Sequence, residues 1–300
     1  MLAIEVKDLH KRYAGNDVLN GIQLHVKQGE IFGFLGRNGA GKSTFIHILT
    51  GITQPTSGSF SILGEIHHQM ERIKQKIGVM PDTSNLYQHM KALDFLKYMA
   101  ALKGDTRSIA ELSQLLEQVG LPHVEKQKIK SFSFGMKKKI SIAQALLGNP
   151  ELIFLDEPTS GLDPESAILI QQLIITLKEQ GKTIFLTSHN LTEIEKICDT
   201  VAIMTDGIIA KVGTVAQLKH AAKETIHVHL RTNPSLDVMM LQECGITDVQ
   251  FIKHDQAVSV IEVNEEEVIP LLIERLTEQH VKIYEVKIEV TSLEDVFMAV

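Results

Sequence analysis

The sequence has few cysteines. Cys198 and Cys244 are the only two in 300 residues, and they lie far apart without the spacing of metal-binding cysteines. This pattern favours a reducing compartment such as the cytosol. Both thiols are expected to be small apolar core residues.

Long apolar runs and an excess of basic residues are also missing. Nowhere do about 18 apolar residues follow one another, so no segment is expected to span a bilayer, and a membrane role would need a partner. The N-terminal residues MLAIEVKDLHKRY carry charges where a signal peptide has an apolar run. The formal charge of −7 and the pI near 6.0 argue against broad nucleic-acid binding, so no nucleic-acid partner is expected.

The remaining composition is that of an ordinary globular protein. Hydrophobic residues make up 44% of the chain and charged residues 22%. A length of 300 residues favours two domains over one compact core.

Strand and helix patterns alternate along the first part of the chain. Residues 3–6 and 21–26 have strand patterns, and 31–35 is a continuous apolar run typical of a buried central strand. A glycine-rich loop follows, and then residues 42–51 with helical apolar spacing. Further buried strands are predicted at 152–155 and 183–187, with a hairpin over 201–212.

Helices predominate between residues 86 and 147. Ile109, Leu112, Leu115, Leu116 and Val119 make one predicted apolar stripe. A later helix after Pro164 is expected to place Ile168, Leu169, Leu173, Ile174 and Leu177 on one side. The fold class predicted for residues 1–219 is α/β, with a largely parallel sheet and a helical insertion at about 86–147.

The pattern changes after about His220. Four predicted strands and two predicted helices follow in the order βαββαβ. This order predicts a small ferredoxin-like α+β domain over residues 220–300.

One loop has the spacing G-x-x-x-x-G-K-S/T, between a predicted strand and a predicted helix. Its glycines let successive backbone N–H groups turn inward around phosphate oxygens, and the helix N-terminus adds partial positive charge. The lysine can reach the β- and γ-phosphates, the serine can ligate Mg²⁺, and the threonine after it is expected to contact the α-phosphate. The predicted ATP-binding residues here are Gly36, Arg37, Asn38, Gly39, Ala40, Gly41, Lys42, Ser43 and Thr44.

Acidic residues end the next buried strand. Asp156 and Glu157 follow residues 152–155, and the ends of parallel strands border the crevice where open α/β sheets bind ligands. Asp156 suits Mg²⁺, and Glu157 suits a general base for the attacking water. His189 follows the strand at 183–187, and its position alone makes it a candidate for contacting the γ-phosphate or orienting water.

Together these segments resemble the nucleotide-binding subunits of ABC transporters over about the first 215 residues. LIFLDEPTSGLDP at 152–164 and Thr187-Ser188-His189 have the order and spacing of that family. The resemblance implies a P-loop NTPase core of the RecA-like type with an antiparallel β subdomain, binding ATP and Mg²⁺ and hydrolysing ATP. Tyr13 stands at the family's position for stacking on adenine. Alternatively, Tyr13 only packs against the core at the edge of a strand.

Two motifs depart from the family pattern. The family signature Leu-Ser-Gly-Gly-Gln reads Phe-Ser-Phe-Gly-Met at 132–136, as in drug- and bacteriocin-exporter subunits, so Phe134 must point away from the nucleotide. Asp82 stands where the family has glutamine or glutamate near Mg²⁺ and the attacking water, and its shorter side chain would reach the metal through water. Lys137–Lys139 are expected to form a solvated face.

The resemblance also implies partners. In this family two subunits sandwich two ATP molecules, and the signature of one subunit completes the site of the other. Here that implies a homodimer, or a pair with a homologous subunit, in which Ser133, Phe134, Gly135 and Asp163 act in trans. A separate transmembrane permease would dock by a short helix in the groove beside the helical insertion, which places the subunit on the cytoplasmic face of the membrane.

Two other functions remain open on the sequence. One is an ATP-driven switch acting on ribosomes or DNA, which usually has two ATPase cores or a long coiled-coil insertion. The other is a regulator without hydrolysis, suggested by Phe134 and Asp82. The C-terminal residues 291–298 resemble the extension of drug and antibiotic exporters, where a regulatory or dimer-stabilising role and a plain packing role are equally compatible.

Overall fold

The computed structural model describes residues 1–221, 226–243, 249–255, 258–263, 265–289 and 292–298. These residues fall into two compact units, Met1–Val215 and Ala216–Ala299. Cys244 and Thr291 lie outside the described residues.

The first unit contains two sheets and a group of helices. Its strands are β1 (Leu2–Tyr13), β2 (Asn16–Lys27), β3 (Ile31–Gly36), β4 (Ser57–Ile62), β5 (Glu65–Ile66), β6 (Ile77–Val79), β7 (Leu152–Asp156), β8 (Thr183–Thr187), β9 (Thr200–Thr205) and β10 (Ile208–Thr214). Its helices are α1 (Lys42–Leu49), α2 (Met70–Lys76), α3 (Ala92–Lys103), α4 (Ile109–Gln118), α5 (Phe134–Ala145), α6 (Pro164–Glu179) and α7 (Leu191–Ile197).

A six-stranded sheet in the order β10-β9-β3-β8-β7-β6 forms the centre of this unit. All its pairs are parallel except the hairpin of β9 and β10. Every residue of β3 and β8 is buried, as continuous apolar strands with covered faces require. Because β3 lies beside β8 and β8 beside β7, the carboxyl ends of three predicted strands meet at one edge.

A second, antiparallel sheet has the order β2-β1-β4-β5. Along β2 the core side chains alternate with exposed ones, which is the pattern of a sheet with one covered face. Five phenylalanines fill the space between the elements, with ring centroids of Phe34 and Phe45 5.0 Å apart and of Phe32 and Phe185 5.5 Å apart. The α/β fold class predicted from the sequence is confirmed.

Two details of the predicted helices are wrong. Ile168 and Leu169 are exposed on α6, and Ile170 takes the buried position that they were expected to share. Ile109 is exposed because it is the first residue of α4, beyond the stripe that Leu112, Leu115 and Leu116 bury. Ser108 begins α4 with a capping box to Glu111.

The second unit is built on one antiparallel sheet. Its elements after α8 (Val215–Ala221) are β11 (Ile226–Asn233), α9 (Val238–Glu243), β12 (Val249–Asp255), β13 (Val258–Val263), α10 (Val268–Glu278), β14 (Lys282–Glu289) and α11 (Leu293–Met298). The strand order β12-β13-β11-β14 is that of a ferredoxin-like fold, as predicted, with α11 added. In the part of the chain that the structure describes, no helix is long and apolar enough to cross a membrane.

Candidate functional site

The phosphate loop lies between the end of β3 and the start of α1. Gly41 precedes α1 with a φ of 108°, in the left-handed region that favours glycine. A Cβ at Gly36 would lie 2.5 Å from the carbonyl oxygen of Met204, so no side chain fits there. Both glycines are therefore required by the path of the loop. Of the other loop residues, Arg37, Asn38, Gly39 and Ser43 are exposed, Thr44 is half-buried and Ala40 is buried.

The Lys42 side chain folds back across this loop. Its Nζ donates to the carbonyl oxygens of Gly36 at 2.5 Å and Arg37 at 3.1 Å. Burial lowers the pKa of the Lys42 ammonium, while the carboxylates of Glu157 and Asp156 act in the opposite direction. Lys42 is therefore within electrostatic reach of both acidic candidates.

The acidic candidates are held by the neighbouring strand. The Thr187 hydroxyl, at the end of β8, donates to Oδ1 of Asp156 at 2.5 Å. The backbone N–H of Glu157 donates to the same hydroxyl oxygen at 3.1 Å. Thr187 is not among the predicted site residues; its place opposite Asp156 at the end of a parallel strand is the signal that could have found it.

His189 meets the Glu157 side chain at the same edge. Its Nδ1 lies 2.8 Å from Oε2 of Glu157. The side chains are 68% and 30% exposed, so the pair is open to a substrate. The Glu157 carboxylate and the His189 imidazole thus lie together at the sheet edge that borders the phosphate loop.

A buried carboxylate behind this edge joins two of its loops. Glu193, in α7, accepts hydrogen bonds from Thr159 at 2.5 Å and Ser188 at 3.1 Å through Oε2. Thr159 follows Glu157 by two residues, and Ser188 precedes His189. Glu193 therefore fixes the two loops relative to each other. A single acidic residue in a short helix carries no sequence signal of such a role.

Lys138 contradicts the prediction that Lys137–Lys139 form a solvated face. It is 7% exposed, and its Nζ donates to the carbonyl oxygen of Glu157 at 2.6 Å. Burial lowers the pKa of its ammonium, and the carboxylates of Glu157, Asp156 and Asp82 oppose that effect. The prediction failed because adjacent lysines suggest one exposed surface, although Lys138 shares a helix face with the buried Ile142.

The signature residues form the start of α5. Ser133 is the N-cap, and its Oγ accepts from the backbone N–H of Met136 at 3.2 Å, which leaves its own O–H for donation. The Phe134 ring is 46% exposed and lies against Gly161, where a Cβ would be 3.0 Å from it. A Cβ at Gly135 would lie 3.4 Å from Ser166, so the signature packs against the 160–166 segment of its own chain.

Asp163 and Asp82 both serve as backbone caps. Asp163 is the N-cap of α6 and accepts from the N–H of Ser166 at 2.9 Å. Asp82 accepts from the N–H of Ser84 at 2.8 Å at the start of a 3-10 turn. These hydrogen bonds hold the pKa of each carboxyl below its ordinary value. Both carboxylates are exposed.

Tyr13 ends β1 in the hairpin with β2. It is 44% exposed, and the ammonium of Lys11 lies 4.6 Å from its ring centroid. The same hairpin approaches the phosphate loop at Leu19, whose side chain would be 2.9 Å from a Cβ at Gly41. Tyr13 is thus an exposed aromatic ring in a hairpin that borders the loop, without a described contact to the loop itself.

The oxygen donors at this edge fit a magnesium ion. Ser43 offers an exposed hydroxyl and Asp156 an exposed carboxylate, and Mg²⁺ prefers such hard oxygen ligands together with phosphate oxygens. Asp82 lies between Ser43 and Asp156 in the sequence, and its described hydrogen bond is to Ser84.

An open groove of about 520 Å³ separates part of the core from the helical insertion. Its lining combines apolar and charged side chains, and Leu102 in α3 is 67% exposed. Among the lining residues are Thr50 and Val79 on one side and Met99, Leu102 and Lys103 of α3 on the other.

Comparison with known proteins identifies two family patterns. A model described as "ABC transporter" matches residues 19–160, and one described as "ATP-binding protein DrrA1-3-like, C-terminal domain" matches residues 213–300.

Similar proteins cover the whole chain or most of it. The linearmycin resistance ATP-binding protein LnrL of Bacillus subtilis (strain 168) is 32% identical over 98% of this chain and 97% of its own length. The bacitracin transport ATP-binding protein BcrA of Bacillus licheniformis is 38% identical over 82% of this chain and 81% of its own. Among solved structures, a dimeric post-hydrolysis state of the ATP-binding cassette MJ0796 with ADP and Pi is 25% identical, with a TM-score of 0.64, over 70% of this chain and 98% of that chain.

Proposed function

The chain belongs to the ABC transporter family as an ATP-binding subunit that couples ATP hydrolysis to transport, and on this premise we propose that it drives export through a separate permease by closing as an ATP-bound dimer. One observation carries the residue assignment: the phosphate loop, Asp156, Glu157 and His189 meet at one sheet edge, with His189 2.8 Å from Glu157.

Hydrolysis within one subunit uses the residues of this edge. The backbone N–H groups of the loop and the Lys42 ammonium bind the phosphates. Glu157 takes a proton from water as the water oxygen bonds to the γ-phosphorus, and the bond to the β–γ bridging oxygen breaks to leave ADP. His189 orients the Glu157 carboxylate or the terminal phosphate. Tyr13 stacks on adenine.

Magnesium would be held by the Ser43 hydroxyl and the Asp156 carboxylate. Bound there with the nucleotide, the ion supplies positive charge that offsets the charge on the β- and γ-phosphates. The Thr187 hydroxyl fixes the Asp156 carboxylate. Asp82 contributes to the same site through water.

The second subunit completes the site in trans. The free O–H of Ser133 and the backbone N–H groups that begin α5 form an anion-binding end of a helix. We assign Ser133, Phe134, Gly135 and Asp163 to the partner's nucleotide site, in a two-fold dimer or in a pair with a homologous subunit. The dimeric state of the similar cassette MJ0796 with ADP and Pi supports this assignment.

Phe134 tests whether the altered signature is functional. Its ring leans on Gly161 of its own chain, so we expect Phe134→Gly to leave kcat for ATP within about threefold of the unmodified protein, or above it. Steady-state phosphate release measures this, with Phe134→Leu as the variant that keeps an apolar side chain. An order-of-magnitude loss in Phe134→Gly alone would show that the ring has a required role.

The groove beside α3 is the proposed contact for the permease. Its exposed Leu102 and the adjacent Lys103 offer an apolar contact flanked by charge, which suits a short amphipathic helix. In this proposal the domain formed by residues 1–219 binds ATP and the permease, and the domain formed by residues 220–300 is an accessory domain. The subunit would lie on the cytoplasmic face of the membrane through this contact.

Substitution in the groove separates docking from catalysis. Leu102→Asp is expected to abolish co-purification with the permease while ATP hydrolysis by the isolated subunit stays within about twofold. Ile109→Asp is the matched control, because Ile109 is an apolar residue of α4 that is 57% exposed and does not line the groove. Retained co-purification of Leu102→Asp would contradict docking at this surface.

Export of an antibiotic-like molecule is supported by the relatives. LnrL is described by linearmycin resistance and BcrA by bacitracin transport. Co-expression with a candidate permease, a membrane protein with about six apolar spans, tests the proposal: we expect co-purification and stimulated ATP hydrolysis. A chain that hydrolyses ATP but binds no membrane protein would contradict the transport role.

A further inference from the structure

Lys138 occupies an unusual place for a lysine in α5. Its side chain is almost fully buried, and its ammonium reaches the backbone of Glu157. Long lysine stems often cross apolar surface with the charged end in water. Here the charged end instead lies inside the protein, where it donates to the carbonyl oxygen of Glu157 at 2.6 Å.

The backbone of Glu157 has a strained conformation that neighbouring groups must stabilise. Its φ of 49° lies in the left-handed region, which is uncommon for a residue with a side chain and costs conformational energy. Such a residue persists only where its surroundings fix it. The Glu157 N–H is held by Thr187 at 3.1 Å, and its carbonyl oxygen accepts from Lys138 at 2.6 Å and more distantly from the N–H of Ser160 at 3.3 Å.

These two supports come from different parts of the subunit. Thr187 belongs to the core sheet, whereas Lys138 belongs to α5 of the helical insertion. Ser133 caps the same helix five residues earlier. A rigid shift of α5 therefore moves together the group assigned to the partner's nucleotide and the donor that holds the carbonyl of Glu157.

On the basis of the proposed function, we infer that Lys138 is a positioning residue, which holds Glu157 in its catalytic conformation and links that conformation to the placement of the signature helix. Lys138 touches no reacting atom. It acts by fixing the Glu157 peptide with a charged hydrogen bond from its buried ammonium.

A purely structural role is the alternative, in which Lys138 only stabilises the packing of α5. The two roles differ in what they change. A packing residue lowers stability and, through it, activity, whatever residue stands at 157. A positioning residue changes the rate only while Glu157 acts as the base.

Lys138→Met keeps the length and apolar stem of the side chain and removes the donor. We expect it to lower kcat for ATP by about 10- to 100-fold, the loss that a small displacement of a catalytic group produces, with KM for ATP little changed. Lys138→Arg retains a buried donor and is expected to recover part of the rate. Lys137→Met, on the preceding residue of the same helix, is the matched control and should keep full activity.

A double-mutant comparison with Glu157→Gln decides between the two roles. We expect Lys138→Met to cause no further loss in single-turnover hydrolysis when residue 157 is glutamine, and the double variant to form the ATP-dependent dimer that Glu157→Gln forms. If Lys138→Met does not fold, as judged by its thermal melt, Lys138→Gln carries the same comparison.

Two results would overturn the inference. One is a kcat for Lys138→Met within about twofold of the unmodified protein. The other is that Lys138→Met lowers the hydrolysis rate by the same factor whether residue 157 is glutamate or glutamine. Failure of the proposed function is distinguishable, because Glu157→Gln alone would then keep its hydrolysis rate or not dimerise with ATP.

Discussion

Replacing Glu157 by glutamine is expected to lower kcat for ATP hydrolysis by about 10²–10⁴-fold, the usual contribution of a general base. Glutamine has nearly the shape of glutamate but cannot accept the proton of the attacking water. It can still contact His189, which lies 2.8 Å from Oε2 of Glu157. ATP binding should therefore persist, because the phosphate loop and Lys42 are unchanged.

The same variant is expected to accumulate as a dimer with ATP. In the proposed dimer the terminal phosphate bridges the two subunits only until it is released, so a subunit that binds but does not cleave ATP should remain closed. Size-exclusion chromatography with light scattering measures this. Glu179→Gln, an exposed glutamate at the end of α6, is the control and should hydrolyse normally. A Glu157→Gln protein that stays monomeric with saturating ATP and Mg²⁺ would contradict the sandwich.

Lys42→Ala is expected to have the largest effect on binding. In the proposed site the Lys42 ammonium donates to the β- and γ-phosphates, and charged hydrogen bonds contribute about 1.5–3 kcal/mol each. Its loss from the β- and γ-phosphates should weaken ATP binding by about 100-fold or more. Removing the ammonium also leaves the carbonyl oxygens of Gly36 and Arg37 without the donor that they share.

Equilibrium titration with a fluorescent ATP analogue measures this affinity. Lys7→Ala removes a lysine whose side chain is 65% exposed on β1 and should bind ATP normally. Normal ATP affinity in Lys42→Ala would contradict the assignment of Lys42 to phosphate binding. A lower melting temperature of the nucleotide-free variant would show that its weaker ATP binding results from impaired folding.

The sheet and the loop between strand and helix could be predicted because local signals specify them. Continuous apolar runs predict β3, β7 and β8, and the glycine spacing with Lys42 predicts the phosphate loop. The carboxyl ends of parallel strands meet at one edge by geometry alone. This rule predicts that Glu157 and His189 lie at the same edge, and the structure has them 2.8 Å apart.

Other features depend on tertiary contacts that the sequence does not display. Strand β6 has three residues and β5 has two, too short for a periodic pattern, and both were missed. Lys138 was assigned to a solvated face, since its burial depends on how α5 packs against the end of β7. Thr187 and Glu193 act through hydrogen bonds to loops distant in sequence, so residue type alone gave no indication of them.

The orientation of Phe134 in the signature also depends on tertiary contacts. A working signature needs Phe134 to point away from the nucleotide, and in the structure its ring lies against Gly161 of the same chain. Residue 161 suits glycine for two reasons: its φ of 76° lies in the left-handed region, and a Cβ there would lie 3.0 Å from the Phe134 ring. Whether the Phe134 ring reaches the nucleotide of the other subunit is decided by the dimer interface.

The arrangement of two subunits around shared nucleotide is most directly tested by an ATP-bound structure of Glu157→Gln, from which the distance between Oγ of Ser133 and the γ-phosphate bound by the other subunit is read. We expect a hydrogen-bond distance of about 3 Å at both sites. A closed, ATP-loaded dimer in which Ser133 lies far from both γ-phosphates would contradict the account.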